Sequence, residues 1–186
     1  MEINICKAKK SDLNGIIRVN VETWKTAYKG VVPDDYIRGF AVRSQDKRWQ
    51  NQLKNMIEEN IFFIAENTKS EIVGFVIGGL ERNKHPNYKG ELMGIYVLKE
   101  YQRQGIGKAL TRRIVEELIK MGINNMIIWV LENNPYRAFY DTLGGKVVDM
   151  KEHETLKLPV VAYGYDNLKE LVKNHCFNND DGKIII

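Results

Sequence analysis

One segment of the chain limits the possible folds more than any other, the run 91–122. It begins with ELMGIYVL, which is rich in β-forming residues, and continues into YQRQGIG, a turn with two glycines. A helix is predicted after the turn, because Leu110, Ile114 and Leu118 recur at every fourth position and Gly122 follows them. A strand that passes through a glycine turn into an amphipathic helix is typical of an α/β fold.

The rest of the chain continues this alternation of strands and helices. Strands are predicted at 2–8, 61–66, 71–80, 91–98, 126–131, 146–150 and 156–165. Helices are predicted at 12–27, from Pro33, at 44–59, 107–121 and 135–143. The residues NTKS between two strands indicate a hairpin turn, and 81–90 is predicted to be a loop. We therefore expect one α/β domain over residues 1–173 with mixed strand directions, followed by a polar tail over residues 174–186.

The composition excludes several classes of partner. Apolar residues make up 44% and charged residues 28% of the 186 positions, as in ordinary globular proteins. The net charge of +4 is too small, without a concentrated basic patch, to indicate a nucleic-acid partner. No apolar run is long enough to span a bilayer, so no membrane partner is expected.

Cysteine and histidine positions indicate the compartment and argue against a metal. Cys6 and Cys176 lie far apart and have no CxxC spacing, so we expect reduced thiols in a cytoplasmic protein. His85, His153 and His175 share no ligand spacing, and no metal site is predicted.

The glycine turn does not match the common phosphate-binding motifs. A P-loop would need a glycine at Gln102 and a serine or threonine at Ala109. A dinucleotide fingerprint would need a third glycine at Leu110. What remains is a Gln-x-x-Gly-x-Gly motif that starts at Gln102 and precedes a helix.

This motif favours an anionic ligand for physical reasons. Gly105 and Gly107 allow the backbone to approach a ligand closely, and amide groups at the start of a helix point outward. Arg103 and Lys108 add positive charge. The expected ligand is an anion of pyrophosphate type, although glycines alone are also compatible with a plain tight turn.

Together with ENNPYRAFYDTLGG at 132–145, the motif resembles the GNAT superfamily of acyl-CoA-dependent N-acyltransferases. The resemblance covers residues 2–171 and is most specific at 91–145. It implies a mixed, mostly antiparallel sheet of about seven strands flanked by helices and splayed between the fourth and fifth strands. It also implies acetyl-CoA as the acetyl donor, and no metal.

The resemblance assigns the coenzyme to the turn and to the strand before it. The turn would bind the pyrophosphate, the strand would bind the pantetheine arm through its main chain, and Gly94 suits the bulge that opens the strand. The implied coenzyme-binding residues are Ile95, Tyr96, Val97, Gln102, Arg103, Gln104, Gly105, Ile106, Gly107, Lys108 and Asn134.

Two residues match catalytic positions of that superfamily. Tyr140 is implied as the general acid, since a phenol with an ordinary pKa of about 10 stays protonated at neutral pH. Glu91 matches the catalytic glutamate of the histone-acetyltransferase branch and is a candidate base, directly or through a water. A solvated charge at the edge of a strand is an equally good interpretation of Glu91.

The function expected from the resemblance is transfer of an acetyl group to a primary amine by direct attack in a ternary complex. The alternative is a non-catalytic module that binds acyl-CoA as a sensor or structural ligand. The acceptor would be a small-molecule or peptide amine, and the sequence leaves a homodimer open. Trp24 and Tyr28 are interpreted as core packing, and the loop with Arg82 either gates the acceptor or is plain surface.

Overall fold

The computed structural model describes residues 2–174 and 183–185. Its strands are β1 Glu2–Lys7, β2 Ile61–Asn67, β3 Ile72–Leu80, β4 Gly90–Val97, β5 Met126–Leu131, β6 Lys146–Glu152, β7 Pro159–Tyr165 and β8 Lys183–Ile185. Its α-helices are α1 Leu13–Ala27, α2 Asp34–Arg43, α3 Lys47–Glu59, α4 Ile106–Lys120, α5 Ala138–Thr142 and α6 Leu168–Lys173.

The strands form one sheet in the order β6-β7-β5-β4-β3-β2-β1-β8. Every neighbouring pair is antiparallel except β4 and β5, which are parallel. This parallel pair is short, since only Gly90 with Met126 and Glu91 with Ile127 are in register. Beyond that point the two strands diverge, which confirms the predicted mixed sheet and its splay between the fourth and fifth strands.

Helix α4 supports the side of the sheet next to the splay. Its apolar positions Leu110, Ile114 and Leu118 are fully buried, as their four-residue spacing predicts. They join a large core with apolar residues of β2, β3 and β4 and with the first turns of α1. The helix is therefore firmly packed, and its first residues are held at the end of β4.

Two elements near the C-terminus differ from the prediction. Helix α6 was not expected, but the Asn167 side chain caps it by accepting a hydrogen bond from the Glu170 amide at 3.1 Å, and Leu168 and Leu171 are buried. Residues 183–185 form β8 against β1, so this part of the expected polar tail is a strand. The sequence KIII accounts for it, because isoleucine favours strands. Residues 175–182 and 186 of that tail lie outside the described residues.

The described residues also bear on membranes and metals. Among residues 2–174 and 183–185, no helix is both long and apolar enough to cross a bilayer. Within the same ranges, no three histidine, cysteine or acidic side chains are grouped as metal ligands would be.

Candidate active site

A cavity of about 980 Å³ occupies the splay between β4 and β5. It extends from the glycine turn at the end of β4 to the C-terminal part of α1 and the turn between β6 and β7. Because β4 and β5 separate after Glu91, the β5-facing main chain of the last residues of β4 borders this space rather than another strand. One part of the cavity is therefore bordered by the main chain of β4, and the other part is lined mainly by side chains.

A bulge in β4 contributes to the divergence. Ile77 of β3 is in register with Gly94, whereas its neighbour Gly78 is in register with Leu92. Met93 is therefore the extra residue, next to the glycine from which a bulge was expected. A Cβ atom at Gly94 would lie 2.9 Å from the Tyr96 ring, so the glycine gives that ring its room.

The turn after β4 has an unusual backbone. Arg103 and Gly105 both have positive φ angles, 59° and 82°. Such a conformation costs a non-glycine residue such as Arg103 about 1–3 kcal/mol. The Gln102 side chain donates to the Val97 carbonyl at 2.9 Å and ties the turn to the strand. The chain thus keeps a turn with two left-handed residues directly before α4.

The two glycines of the motif are required for different reasons. Gly105 has open space around it but precedes α4 in the left-handed conformation, which favours glycine. Gly107 has an ordinary conformation, but a Cβ atom there would lie 3.3 Å from the Phe139 ring. The first α-helical bond is donated by the Ala109 amide to the Gly105 carbonyl, so the amides of residues 106–108 precede the helical ladder. Three amides that are not used by the helix are thus available at its start.

All but two of the predicted coenzyme-binding residues line the cavity. They are Ile95, Tyr96, Val97, Gln102, Arg103, Gly105, Gly107, Lys108 and Asn134. The Ile106 side chain is instead buried in the core, 1% exposed, and the Gln104 side chain donates to the Glu100 carbonyl at 3.0 Å. These two residues can therefore contribute only backbone amides to a ligand in the cavity.

Asn134 has a structural role as well. Its Oδ1 atom accepts a hydrogen bond from the Tyr136 amide at 2.8 Å and so shapes the turn before α5. Its Nδ2 group has no hydrogen-bond partner among the described residues, so both of its donors remain on a residue that lines the cavity.

Tyr140 lies on α5 and is buried, 7% exposed, among the residues that line the cavity. Its carbonyl accepts hydrogen bonds from the Tyr165 hydroxyl at 3.0 Å and the Gly145 amide at 3.1 Å, which fix its backbone. Within residues 2–174 and 183–185 its own hydroxyl has no hydrogen-bond partner. Burial raises the pKa of this phenol, and the nearby Tyr96 and Tyr163 raise it further. The group is therefore a protonated donor at neutral pH.

Glu91 is the second residue of β4, and its side chain is buried, with only 2% exposed. Both of its oxygens are paired with one guanidinium, since Arg82 Nε lies 2.9 Å from Oε2 and Nη2 lies 2.7 Å from Oε1. The Arg82 amide also donates to Oε2 at 3.2 Å. The hydrogen bonds to Glu91 raise the pKa of the Arg82 guanidinium above its ordinary value. A solvated edge charge is thus wrong for Glu91, because its carboxylate is buried and paired.

Sequence reasoning did not assign Tyr28 to the site. It lines the cavity with Trp24, and the two rings are 4.7 Å apart. Burial raises the pKa of Tyr28 well above its ordinary value, with smaller contributions from Tyr96 and Tyr140. Tyr28, Tyr96 and Tyr140 all line the same cavity. The four-residue spacing of Trp24 and Tyr28 indicated a shared helix face, but only the packing of α1 shows that this face borders the cavity.

The part of the cavity opposite the glycine turn combines aromatic and charged side chains. Trp129 of β5 lines it, and its indole Nε1 is a buried donor with no hydrogen-bond partner among the described residues. Lys151 Nζ lies 4.1 Å from the centre of that ring. Glu152 and Glu154 also line this region. This region therefore places both signs of charge beside an aromatic ring.

A glycine turn therefore lies at one end of the splay, and the buried Tyr140 phenol borders the same cavity. The model of the acetyltransferase (GNAT) family matches residues 24–144 of this chain. An uncharacterized N-acetyltransferase, YuaI of Bacillus subtilis, is 33% identical over 172 residues, which are 91% of this chain and 96% of that protein. The chain therefore belongs to the GNAT acetyltransferase family, and its class of reaction is acetyl transfer to an amine.

Two further relatives come from Thermoplasma acidophilum. A spermidine N(1)-acetyltransferase is 29% identical over 152 residues, or 80% of this chain and 91% of that protein. The crystal structure of a PaiA N-acetyltransferase in complex with coenzyme A superposes with a TM-score of 0.71 and 26% identity. It covers 89% of this chain and 100% of that one, so nearly the whole fold is shared.

Proposed function

We propose that this chain transfers the acetyl group of acetyl-CoA to a primary amine by direct attack in a ternary complex. The observation that carries the proposal is that the glycine turn, Tyr140 and Glu91 all line one cavity. A donor bound at the turn and an amine bound at the far end would meet between β4 and β5. The coenzyme A bound to the PaiA structure supports the choice of donor.

The turn and the last residues of β4 would hold the coenzyme. The amides of residues 106–108 and the charges of Arg103 and Lys108 suit a pyrophosphate. The β5-facing main chain of Ile95–Val97 would bind an extended pantetheine arm, as an added strand would, with Asn134 beside it.

Tyr140 would act as the general acid. The amine nitrogen forms a bond to the acetyl carbon, the carbon–sulfur bond breaks, and the leaving sulfur must gain a proton. The Tyr140 hydroxyl supports this role because it is buried, protonated and without another hydrogen-bond partner among the described residues. General acid catalysis of this kind typically contributes about 10²–10⁴-fold in rate.

Glu91 would receive the acceptor. An amine is mostly protonated at pH 7, so its ammonium must bind and lose a proton before attack. The buried Glu91 carboxylate attracts that cation and takes its proton, directly or through one water. The position of Glu91 in the cavity supports this role. Because Glu91 is paired with Arg82, the Arg82 side chain must move away before the amine binds.

The acceptor would be a cationic alkyl amine. Aromatic side chains at Trp24 and Tyr28 suit an alkyl chain or a cation, and Glu154 suits further positive charge. One relative is a spermidine N-acetyltransferase, so spermidine is the first acceptor to test.

The test is release of free thiol from acetyl-CoA in the presence of individual amines. The panel contains spermidine, a monoamine, an amino acid and a short peptide with a free N-terminus. We expect at least one amine to be acetylated, with spermidine above the amino acid. If no amine is acetylated while acetyl-CoA still binds in calorimetry, the chain is the acyl-CoA-binding module that the sequence left as the alternative.

A further inference from the structure

We propose that Arg82 is a displaceable clamp on Glu91, and that the ammonium group of a cationic acceptor releases it by taking its place. The clamp consists of the Arg82 guanidinium and the Glu91 carboxylate. The inference rests on the proposed function, and it makes Arg82 a specificity-determining residue.

The clamp has a clear reason to form in the absence of an acceptor. A carboxylate with 2% of its side chain exposed is strongly disfavoured unless a positive charge pairs with it. Arg82 supplies this charge with two roughly parallel hydrogen bonds, the favoured geometry for arginine and carboxylate. In this state both Glu91 oxygens are already paired with a cation, so an ammonium group must compete with the guanidinium for them.

The Arg82 side chain is free to leave. Its guanidinium contacts no hydrogen-bond partner other than Glu91 within the described ranges, and 53% of the side chain is already exposed. Its departure therefore breaks the two hydrogen bonds to Glu91, which an incoming ammonium would replace, and gives up a smaller attraction to Glu81. The Arg82 backbone amide can remain on Oε2 and keep the carboxylate oriented.

The loop that carries Arg82 is anchored separately. The Tyr88 hydroxyl donates to Asp166 at 2.7 Å, and the Asn125 side chain bonds the Asn87 carbonyl at 2.7 Å and the Lys89 amide at 2.9 Å. These contacts do not involve the cavity side of the loop. The side chain of Arg82 can thus move while the loop backbone stays in place.

The exchange has a consequence for selectivity. A neutral acceptor cannot replace the guanidinium, because it would leave the buried carboxylate without a counter-ion. The competition also weakens binding of the correct acceptor, since a site that is open about a tenth of the time lowers apparent affinity about tenfold. Removal of Arg82 should therefore improve acceptor binding rather than impair it.

The first experiment uses the parent protein with coenzyme A bound. Its arginine Nε–H groups are observed by ¹⁵N-edited NMR, and the Arg82 signal is assigned by its loss in Arg82→Lys. Addition of spermidine should shift this signal and speed its exchange with solvent. An Arg82 signal that stays unchanged while spermidine saturates the protein overturns the clamp.

The second experiment measures steady-state kinetics of Arg82→Gln. We expect KM for spermidine to fall about tenfold, as a clamp that is mostly closed requires, with KM for acetyl-CoA unchanged. Arg48→Gln is the matched control, because Arg48 is exposed on α3 and outside the cavity. An unchanged or higher KM for spermidine in Arg82→Gln refutes the clamp. If Arg82→Gln does not fold, the NMR titration of the parent decides alone.

Different results refute the proposed acetyl transfer and the Arg82 clamp. If the parent protein acetylates no amine, the proposed function fails and the clamp with it. If the parent acetylates spermidine but the Arg82 signal and the spermidine KM of Arg82→Gln do not change as expected, the function stands and only the clamp is refuted.

Discussion

The most decisive perturbation of the proposed reaction is Tyr140→Phe. This change removes one hydroxyl from a side chain that is 7% exposed and keeps the ring. No hydrogen bond to another described residue is lost, because the bonds from Tyr165 and Gly145 go to the backbone carbonyl. The free energy of unfolding should therefore change by no more than about 0.5 kcal/mol.

The effect on catalysis should be much larger. Loss of a general acid lowers kcat by about 10²–10⁴-fold, which corresponds to about 3–5 kcal/mol in the barrier. KM for acetyl-CoA should move little, because the hydroxyl acts in the chemical step rather than in binding. Burial raises the pKa of Tyr140, so the parent should not lose activity through ionisation of this group below about pH 10.

The assay is thiol release with the best acceptor of the amine panel, and urea unfolding measures stability. Tyr163→Phe is the matched control, because its ring lies 5.5 Å from that of Tyr140 but does not line the cavity. It loses one bond from Arg137 at 3.2 Å and should keep kcat within a few fold. Full kcat in Tyr140→Phe would refute the assignment of the general acid.

Other predictions test the two ends of the cavity and the loop beside it. Gly105→Ala should weaken coenzyme A binding through backbone strain of about 1–2 kcal/mol. Gly107→Leu should weaken the same binding because the leucine displaces Phe139. If both variants bind coenzyme A with the parental affinity in calorimetry, the turn is not the coenzyme-binding site. Glu91→Gln should raise KM for the amine and lower turnover most at low pH, with acetyl-CoA affinity intact. A pH–rate profile equal to that of the parent would show that another group takes the proton of the amine. Tyr88→Phe should lower the free energy of unfolding at neutral pH but not in strong alkali.

Much of the fold could be predicted because local patterns and long-range packing agree. The strands are marked by β-branched runs, and α4 is marked by leucines and isoleucines at every fourth position. Helix α6 was missed since its six residues contain too few apolar positions for a periodic signal. Its formation depends on the Asn167 cap and on burial of Leu168 and Leu171 against the rest of the domain.

The candidate site could be predicted only where a motif is continuous in sequence. The turn from Gln102 to Lys108 lies in one stretch, and its residues do border the cavity, apart from two side chains. The sequence does not decide the role of Glu91, because its partner, Arg82, lies nine positions earlier on a loop. No local pattern predicts that a loop will fold back so that its arginine reaches a buried strand residue. The same holds for Tyr28, whose position depends on how α1 packs across the sheet.

The alkaline behaviour of Tyr88 follows from its hydrogen bond and tests the anchor of the Arg82 loop. Burial and the bond to Asp166 raise the pKa of Tyr88 to about 12 from its ordinary value of 10.0. A phenol with a raised pKa contributes stability that is complete below about pH 10 and is lost as the pH rises through about 12. At pH 8, Tyr88→Phe should therefore cost about 1 kcal/mol, the usual worth of one such bond with an exposed acceptor.

The difference in unfolding free energy between parent and Tyr88→Phe should shrink to zero and then change sign as the pH rises through about 12, because the buried phenolate can no longer donate to Asp166 and is repelled by it. Tyr101→Phe is the control, since the Tyr101 hydroxyl accepts its bond from Asn67 at 3.1 Å and ionisation does not remove an acceptor. Urea unfolding at neutral and alkaline pH measures both variants. A Tyr88→Phe difference that stays constant up to about pH 12 would show that the hydroxyl does not hold the loop. In that case the Tyr88–Asp166 bond would not be one of the contacts that keep the loop backbone in place while the Arg82 side chain moves.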